Sequence, residues 1–284
     1  MKKIIALFVA VLITAAFAGC SGNISQPSES PSHASVSSQN EPETASGDLL
    51  EQIRQRGELV VAMEGTWSPW TYHDETEALV GYDVEVSRKI AEKLGVSVTF
   101  AEGRWDGLLA GLDAGRYDLL VNGVDITKER QEKYDFSTPY AYNHTVIIVT
   151  GDNEDIQSIE NLAGKRTANT ISGIYAQMAE DYQAEVVGVE TLNQSFELLL
   201  AGRVDATLND EVTYLDYLKA HPDANIKIAA RTEDTSRVAI PMRKGEETAS
   251  LREAIDQALE ELRDSGELAT LSEKYFGSDI SKAG

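Results

Sequence analysis

The stretch GVDITKERQEKYDFSTPY (Gly123–Tyr140) concentrates groups suited to holding a charged small molecule. Arg130 offers a planar, permanently charged fork of N–H donors that matches a carboxylate. Thr127 is of the type that caps a helix start. It predicts that Lys128–Arg130 form a first turn whose free N–H groups add positive potential beside the arginine. Asp125 contributes a carboxylate, and Gly123 allows close approach to the backbone. The plainer reading, a surface arginine on a short helix, stays open from these residues alone.

Other candidates lie farther along. Asp210 follows Asn209 and either pairs with a cation or caps the helix expected over EVTYLDYLKAH. In ANTISGIYAQ, Thr170 or Ser172 is expected to cap the next helix, whose first N–H groups could grip an anion. The three tryptophans, Trp67, Trp70 and Trp105, each follow an expected strand, where loops face a cleft and a flat ring can stack on a ligand. Trp70 flanks a proline and reads better as packing. No metal site is expected, because His33, His73, His144 and His221 are scattered without ligand spacing. No Gly-rich phosphate loop or G-x-S-x-G occurs, and no cofactor is implied. Acidic pairs argue little for acid–base catalysis in a chain with 47 Asp and Glu.

Such residues need elements to place them. From about Asp48, short β-rich runs alternate with amphipathic helical patterns, and the order β-α-β-α-β over ELVVAM, YDVEVSRKIAEKLGV, SVTF, WDGLLAGLDAG and YDLLVNG predicts a parallel sheet covered by helices. Val84, Ile90, Ala91 and Leu94 share one helical face, with Gly95 as the stop. A second half repeats the scheme, and the tail from Thr248 reads as two helices broken at Ser265-Gly266 that return to the first half.

One phrase occurs twice, AGRYDLLVN (Ala114–Asn122) and AGRVDATLN (Ala201–Asn209). In each, Gly115 or Gly202 should end a helix in the left-handed conformation, and Asp118 or Asp205 should begin a strand. Asn122 or Asn209 then stands at the strand's carboxyl end, where open α/β sheets bind ligands.

Ahead of the globular part, MKKIIALFVAVLITAAFAGC reads as a signal peptide over residues 1–19, and its ending resembles the lipobox that makes Cys20 a lipidated first residue. Cys20 is the only cysteine, so no disulfide framework exists. Residues 20–47, rich in Ser and Pro, read as a disordered tether, long enough to suggest a Gram-positive surface. The net charge of -22 argues against nucleic acid and against unaided docking on an anionic membrane.

The motifs EGTWSPWTYHDE, LVGYDVEVSRKIAEKLG, WDGLLAGLDAGRYDLLVNGVDITKERQEKYDFSTPY, AGRVDATLND and EKYFG, in this order over about residues 50–280, resemble the type II periplasmic binding proteins, specifically the polar-amino-acid solute-binding family of ABC importers. EGTW, YDVEV, KYDFSTPY and NDEVTYLDYLK look nearest to its cystine-binding branch. The resemblance implies an α/β fold of two Rossmann-like lobes with central mixed sheets joined by a two-segment hinge, near Tyr142–Val146 and Ser236–Ile240. Lobe 1 would comprise 48–143 and 241–284, and lobe 2 144–240. It implies Arg130 as the clamp on a substrate carboxylate, aided by the backbone of Asn122 and Gly123 and by Ser172, or Thr170, across the cleft. Asp210 would take the ammonium, with Asp125 as a second carboxylate. Trp67 and Trp105 would sandwich the ligand side chain, and Glu64 would reach its far end.

The implied function is capture of a polar amino acid by hinge closure and delivery to a permease, by a monomeric, membrane-anchored protein outside the cytoplasm, without catalysis. Two alternatives remain at this stage: a lyase resembling the cyclohexadienyl dehydratases, which share the fold, and a ligand-sensing subunit for a receptor.

Overall fold

The computed structural model describes residues 47–283; the leader, Cys20 and the tether through residue 46 lie outside them. The first helix, α1 (Leu49–Arg56), starts where the Asp48 carboxylate accepts from the Glu51 N–H and stops at left-handed Gly57. There follow β1 (Glu58–Met63), a small antiparallel sheet of β2 (Thr66–Trp67), β3 (Thr71–His73) and β4 (Leu79–Val80), then α2 (Tyr82–Leu94), which ends at Gly95 as expected. Next come β5 (Ser97–Glu102), α3 (Trp105–Asp113) and β6 (Leu119–Leu120). Strands β5-β1-β6 are parallel, as the alternation of elements required. The segment α4 (Lys128–Lys133), β7 (Tyr134–Phe136) and β8 (Ala141–Asn143) completes this half.

The second half comprises β9 (Thr145–Thr150), β10 (Arg166–Thr170), α5 (Ile174–Asp181), β11 (Glu185–Val189), α6 (Leu192–Leu200), β12 (Thr207–Asp210), α7 (Glu211–Ala220) and β13 (Ile226–Arg231). Its sheet is mixed. Strands β10 and β11 are parallel, whereas β9 lies antiparallel between β12 and β13. A parallel bridge from Thr167 to Ala206 joins the two groups. On β9 the side chains of Val146 and Ile148 enter one core and those of Ile147 and Val149 another. Two covered faces explain a strand that is apolar throughout rather than alternating.

The chain then returns through β14 (Ser236–Val238), β15 (Pro241–Arg243), α8 (Ala249–Asp264) and α9 (Glu267–Phe276). RVAIPM, expected as one strand, is split between β14 and β15, because β14 pairs with β8 and β15 with β7. The antiparallel β8–β14 ribbon brings together the two segments expected to form the hinge. Helix α8 lays Leu251, Ile255, Leu259 and Leu262 into the core that also holds Val84, Ile90, Ala91 and Leu94 of α2, so the tail packs on the first half as its lack of strands implied.

Candidate functional site

Between the two halves lies a partly open cavity. Trp67, Trp105, Asn122, Asp125 and Arg130 line it from one side, and Asn169, Thr170, Tyr175 and Asn209 from the other. Among the described residues, no three His, Cys, Asp or Glu side chains gather to hold a metal ion. No described helix is long and apolar enough to cross a membrane.

Arg130 is positioned by its own loop. Thr127 caps α4 by accepting from the Arg130 N–H at 3.2 Å, as the sequence indicated, and Arg130 Nη1 donates to the Asp125 carbonyl at 3.0 Å. The guanidinium stands 5.1 Å from the centre of the Trp105 ring, which covers it. Burial lowers its pKa from the ordinary value without neutralising it. Among the described residues no carboxylate forms a salt bridge with it. A half-buried cation with spare donors on a cavity wall is suited to an anionic ligand group.

Asp125 is 5 % exposed, and its Oδ1 has no hydrogen-bond partner. Burial pushes it up to about 6, against the opposing effects of the Ser236 hydroxyl and the Arg130 charge. Its backbone bridges to Val238 of the β8–β14 ribbon, and the Ile126 N–H donates to the Arg237 carbonyl. The loop bearing both charges is thereby stitched to the crossing strands.

Glu64 also lines the cavity, held from behind by Asn122. Asn122 Oδ1 accepts from the Glu64 N–H and its Nδ2 donates to Glu64 Oε2, each at 2.8 Å. Burial raises the Glu64 carboxyl above its ordinary range. Trp67 leans over Trp70 with ring centres 5.9 Å apart, and Trp67 Nε1 is buried without a partner. Trp70 is fully buried, as its proline-flanked setting suggested, against Tyr82 and Phe276.

Four expectations change in three dimensions. The Gly123 N–H does not face the cavity as a free donor: it donates to the buried Asp83 Oδ2 at 2.5 Å. Gly123 lines the cavity, and the absence of a side chain there also makes room for the tryptophans, because a Cβ would stand 2.9 Å from the Trp67 ring. Neither Thr170 nor Ser172 caps α5, whose N-cap is Gly173 without a side-chain bond. Thr170 lines the cavity, while Ser172 is exposed, turned to φ 65°, and its hydroxyl bonds to the preceding carbonyl of Ile171. Asp210 occupies the N-cap of α7 but makes no capping bond. It is 2 % exposed and does not border the cavity; its oxygens accept from the Tyr175 hydroxyl and from Trp70 Nε1, the latter at 3.0 Å.

Sequence reasoning missed Tyr175, Asn169 and Asp83. Asn169 donates to the Leu208 carbonyl and leaves Oδ1 buried and unpartnered beside the cavity. Its place at the carboxyl end of β10, level with Asn209 on β12, was the available signal. Tyr175 and Asp83 carried none, since their partners arrive from distant segments. Around the rim, Ser68 Oγ donates to Asp216 Oδ2 at 2.6 Å, Arg104 pairs with Glu190 at 2.7 Å, and Trp105 Nε1 donates to the Ser172 carbonyl at 3.3 Å. All three join the two halves.

The sequence model described as bacterial extracellular solute-binding proteins, family 3, matches residues 59–278. The L-cystine-binding protein TcyA of Bacillus subtilis (strain 168) is 37% identical over 282 residues, 99% of this chain and 99% of that one. The fold is similar to that of an arginine-binding protein from T. maritima, with a TM-score of 0.75 and 30% identity over 81% of this chain and 99% of that one. The L-cystine solute receptor of Neisseria gonorrhoeae, solved unliganded and open, is 41% identical with a TM-score of 0.58, covering 84% of this chain and 100% of that one.

Proposed function

The chain belongs to the bacterial extracellular solute-binding proteins of family 3, and from that premise we propose that it captures a polar amino acid, L-cystine foremost, by closing two lobes over it and passes it to an ABC permease. The observation that carries this reading is the half-buried, unpaired Arg130 guanidinium facing a cavity also lined by Asp125, whose Oδ1 is buried without a partner. A zwitterion brings one charge for each. Stripping both charges of water is offset only if both are paired, which this wall allows. Glu64, Asn169 Oδ1 and Trp67 Nε1 leave polar groups for the far end of a longer ligand, and the Trp67 ring offers a stacking face.

Residues 48–143 with 241–284 and residues 144–240 act as the two moving bodies, with the β8–β14 ribbon as the pivot. Two values support this. The gonococcal receptor has the higher identity but the lower TM-score, as a different lobe angle would produce. Cystine is favoured by the near full-length likeness to TcyA. The protein works as a monomer without catalysis, tethered by a lipidated Cys20 to the outer face of a Gram-positive membrane.

A thermal-shift screen of the common amino acids plus L-cystine, followed by calorimetry on Arg130→Ala, tests the reading. The variant should keep the wild-type melting temperature and lose roughly 100-fold or more in affinity. Unchanged affinity would overturn the assignment, and measurable prephenate turnover would favour the lyase. Mass spectrometry of the mature N-terminus tests the anchor; a free Cys20 thiol would sink it.

A further inference from the structure

Trp67 and Trp105, the tryptophans on the cavity wall, each have a sequence neighbour that reaches across to the second half. Next to Trp67, the Ser68 hydroxyl donates to Asp216 Oδ2 of α7 at 2.6 Å. Next to Trp105, Arg104 pairs with Glu190 at 2.7 Å, and Glu190 precedes Thr191, which lines the cavity. None of Ser68, Asp216, Arg104 and Glu190 borders the cavity itself. Both crossings thus stand one residue away from the walls that a ligand would touch.

The crossings differ in what water does to them. Arg104 and Glu190 are 62% and 56% exposed, and an ion pair in that setting is weakened by solvent and by salt. Ser68 and Asp216 are half-buried, and Ser68 is the one side-chain partner that Asp216 finds among the described residues. Helix α7 lies beside α9 of the first half. Burial first, and the charge of Asp216 second, raise the Tyr72 hydroxyl of β3 above its ordinary value. Asp216 therefore faces the first half across a partly desolvated seam, where a hydrogen bond to a charged acceptor is of the stronger kind.

We infer that Ser68 and Asp216 are positioning residues for capture: their bond latches the closed lobes beside an occupied Trp67 and sets how slowly the ligand leaves. The inference rests on the capture reading above and adds what retains the ligand. A side chain stacked on Trp67 holds the ring and the backbone that carries Ser68, so an occupied cavity presents the hydroxyl to α7. The bond forms once the lobes have met, so its loss is felt on departure rather than on arrival. The exposed Arg104–Glu190 pair adds little to retention.

Stopped-flow mixing with L-cystine, followed through tryptophan fluorescence, separates the two rates, because Trp67 and Trp105 line the cavity. Ser68→Ala and Asp216→Ala should each raise the dissociation rate roughly five- to tenfold and leave the association rate within about twofold. The double variant should stay within about twofold of either single one, since the same bond is lost in each. Asp216→Asn keeps an acceptor for the hydroxyl and should raise dissociation only about two- to threefold. Arg104→Ala should raise it by less than about twofold at physiological salt. A merely structural role would lower the melting temperature of the unliganded protein and would not move dissociation alone. If Asp216→Ala does not fold, Asp216→Asn takes its place in the double variant.

Unchanged dissociation from Ser68→Ala, an additive double variant, a loss confined to association, or an Arg104→Ala effect as large as that of Ser68→Ala overturns the latch. Wild type that binds neither L-cystine nor any common amino acid would instead overturn the capture reading, and this inference with it.

Discussion

AGRYDLLVN and AGRVDATLN share five residues at matching offsets, and the structure separates what the shared residues do alike from what they do differently. At the helix end the copies are the same device. Gly115 and Gly202 are left-handed at φ 64° and 63°, and donate to the carbonyls of Leu112 and Leu199. Arg116 and Arg203 donate back to Gly111 and Leu198, completing a Schellman motif in each. Asp118 and Asp205 then accept from the N–H groups of Val60 and Arg166, both at 2.8 Å, and pin the neighbouring strand. At the strand end they part. Asn122 reaches across to Glu64, while Asn209 Oδ1 turns onto the N–H of its own neighbour Asp210. Strand β6 has the parallel β1 beside it, whereas β12 runs antiparallel to β9. Residues that act within a few positions keep their role, and residues that need a partner take whichever one the sheet supplies.

The largest expected effect separates the two aspartates. Asp118 is buried and also pairs with Arg56, so Asp118→Ala should cost about 3 kcal/mol, through a lost charged partner and a stranded N–H. The half-exposed Asp205 should cost about 1 kcal/mol. Urea unfolding measures both, and equal losses would mean that burial does not distinguish the copies. Next comes Asn122→Ala, expected to weaken ligand binding by about 2 kcal/mol by releasing Glu64, while Asn209→Ala should leave binding within a few tenths of a kcal/mol. Similar losses would break the division at the strand ends.

The acid that follows the first copy should also set a pH dependence. Asp125 must be charged to hold an ammonium, and burial places its pKa at about 6. Affinity should therefore fall about tenfold, or ~1.4 kcal/mol, per pH unit below 6 and level off above it. Asp125→Asn should flatten that slope. Stability without ligand has the opposite sign. Raised folded-state values for Asp125 and for Asp83, the latter pushed up to about 7, favour the neutral forms, so their contribution is present at pH 4 and lost as pH rises through 6 to 7. The smallest effect is the matched one: Gly115→Ala and Gly202→Ala should each cost about 1 kcal/mol, since both need the left-handed conformation and neither Cβ would clash. Thermal melting should show near-equal shifts.

Much of the fold was legible because its signals are local. Gly95, Gly115 and Gly202 stop helices, Thr127 caps α4, and the alternation of strand and helix patterns yields the parallel β5-β1-β6 sheet. The antiparallel setting of β9 was not readable, since a strand buried on both faces carries no directional pattern. In the site, Arg130 was legible from its type and its place in a first helical turn.

The sequence by itself determined the family, the arginine, the tryptophans and the two acids that could meet a cation. Only the tertiary structure decided how they are used. Asp210 is occupied by Trp70 from 140 positions away and by Tyr175 from 35, and Gly123 by Asp83 from 40. Ser172 is exposed, with its backbone in the left-handed region before α5 and its hydroxyl on the Ile171 carbonyl. Residue type fixes what a side chain can bond to, but a buried polar group must bond to something, and which partner it finds depends on the packing that brings distant segments together.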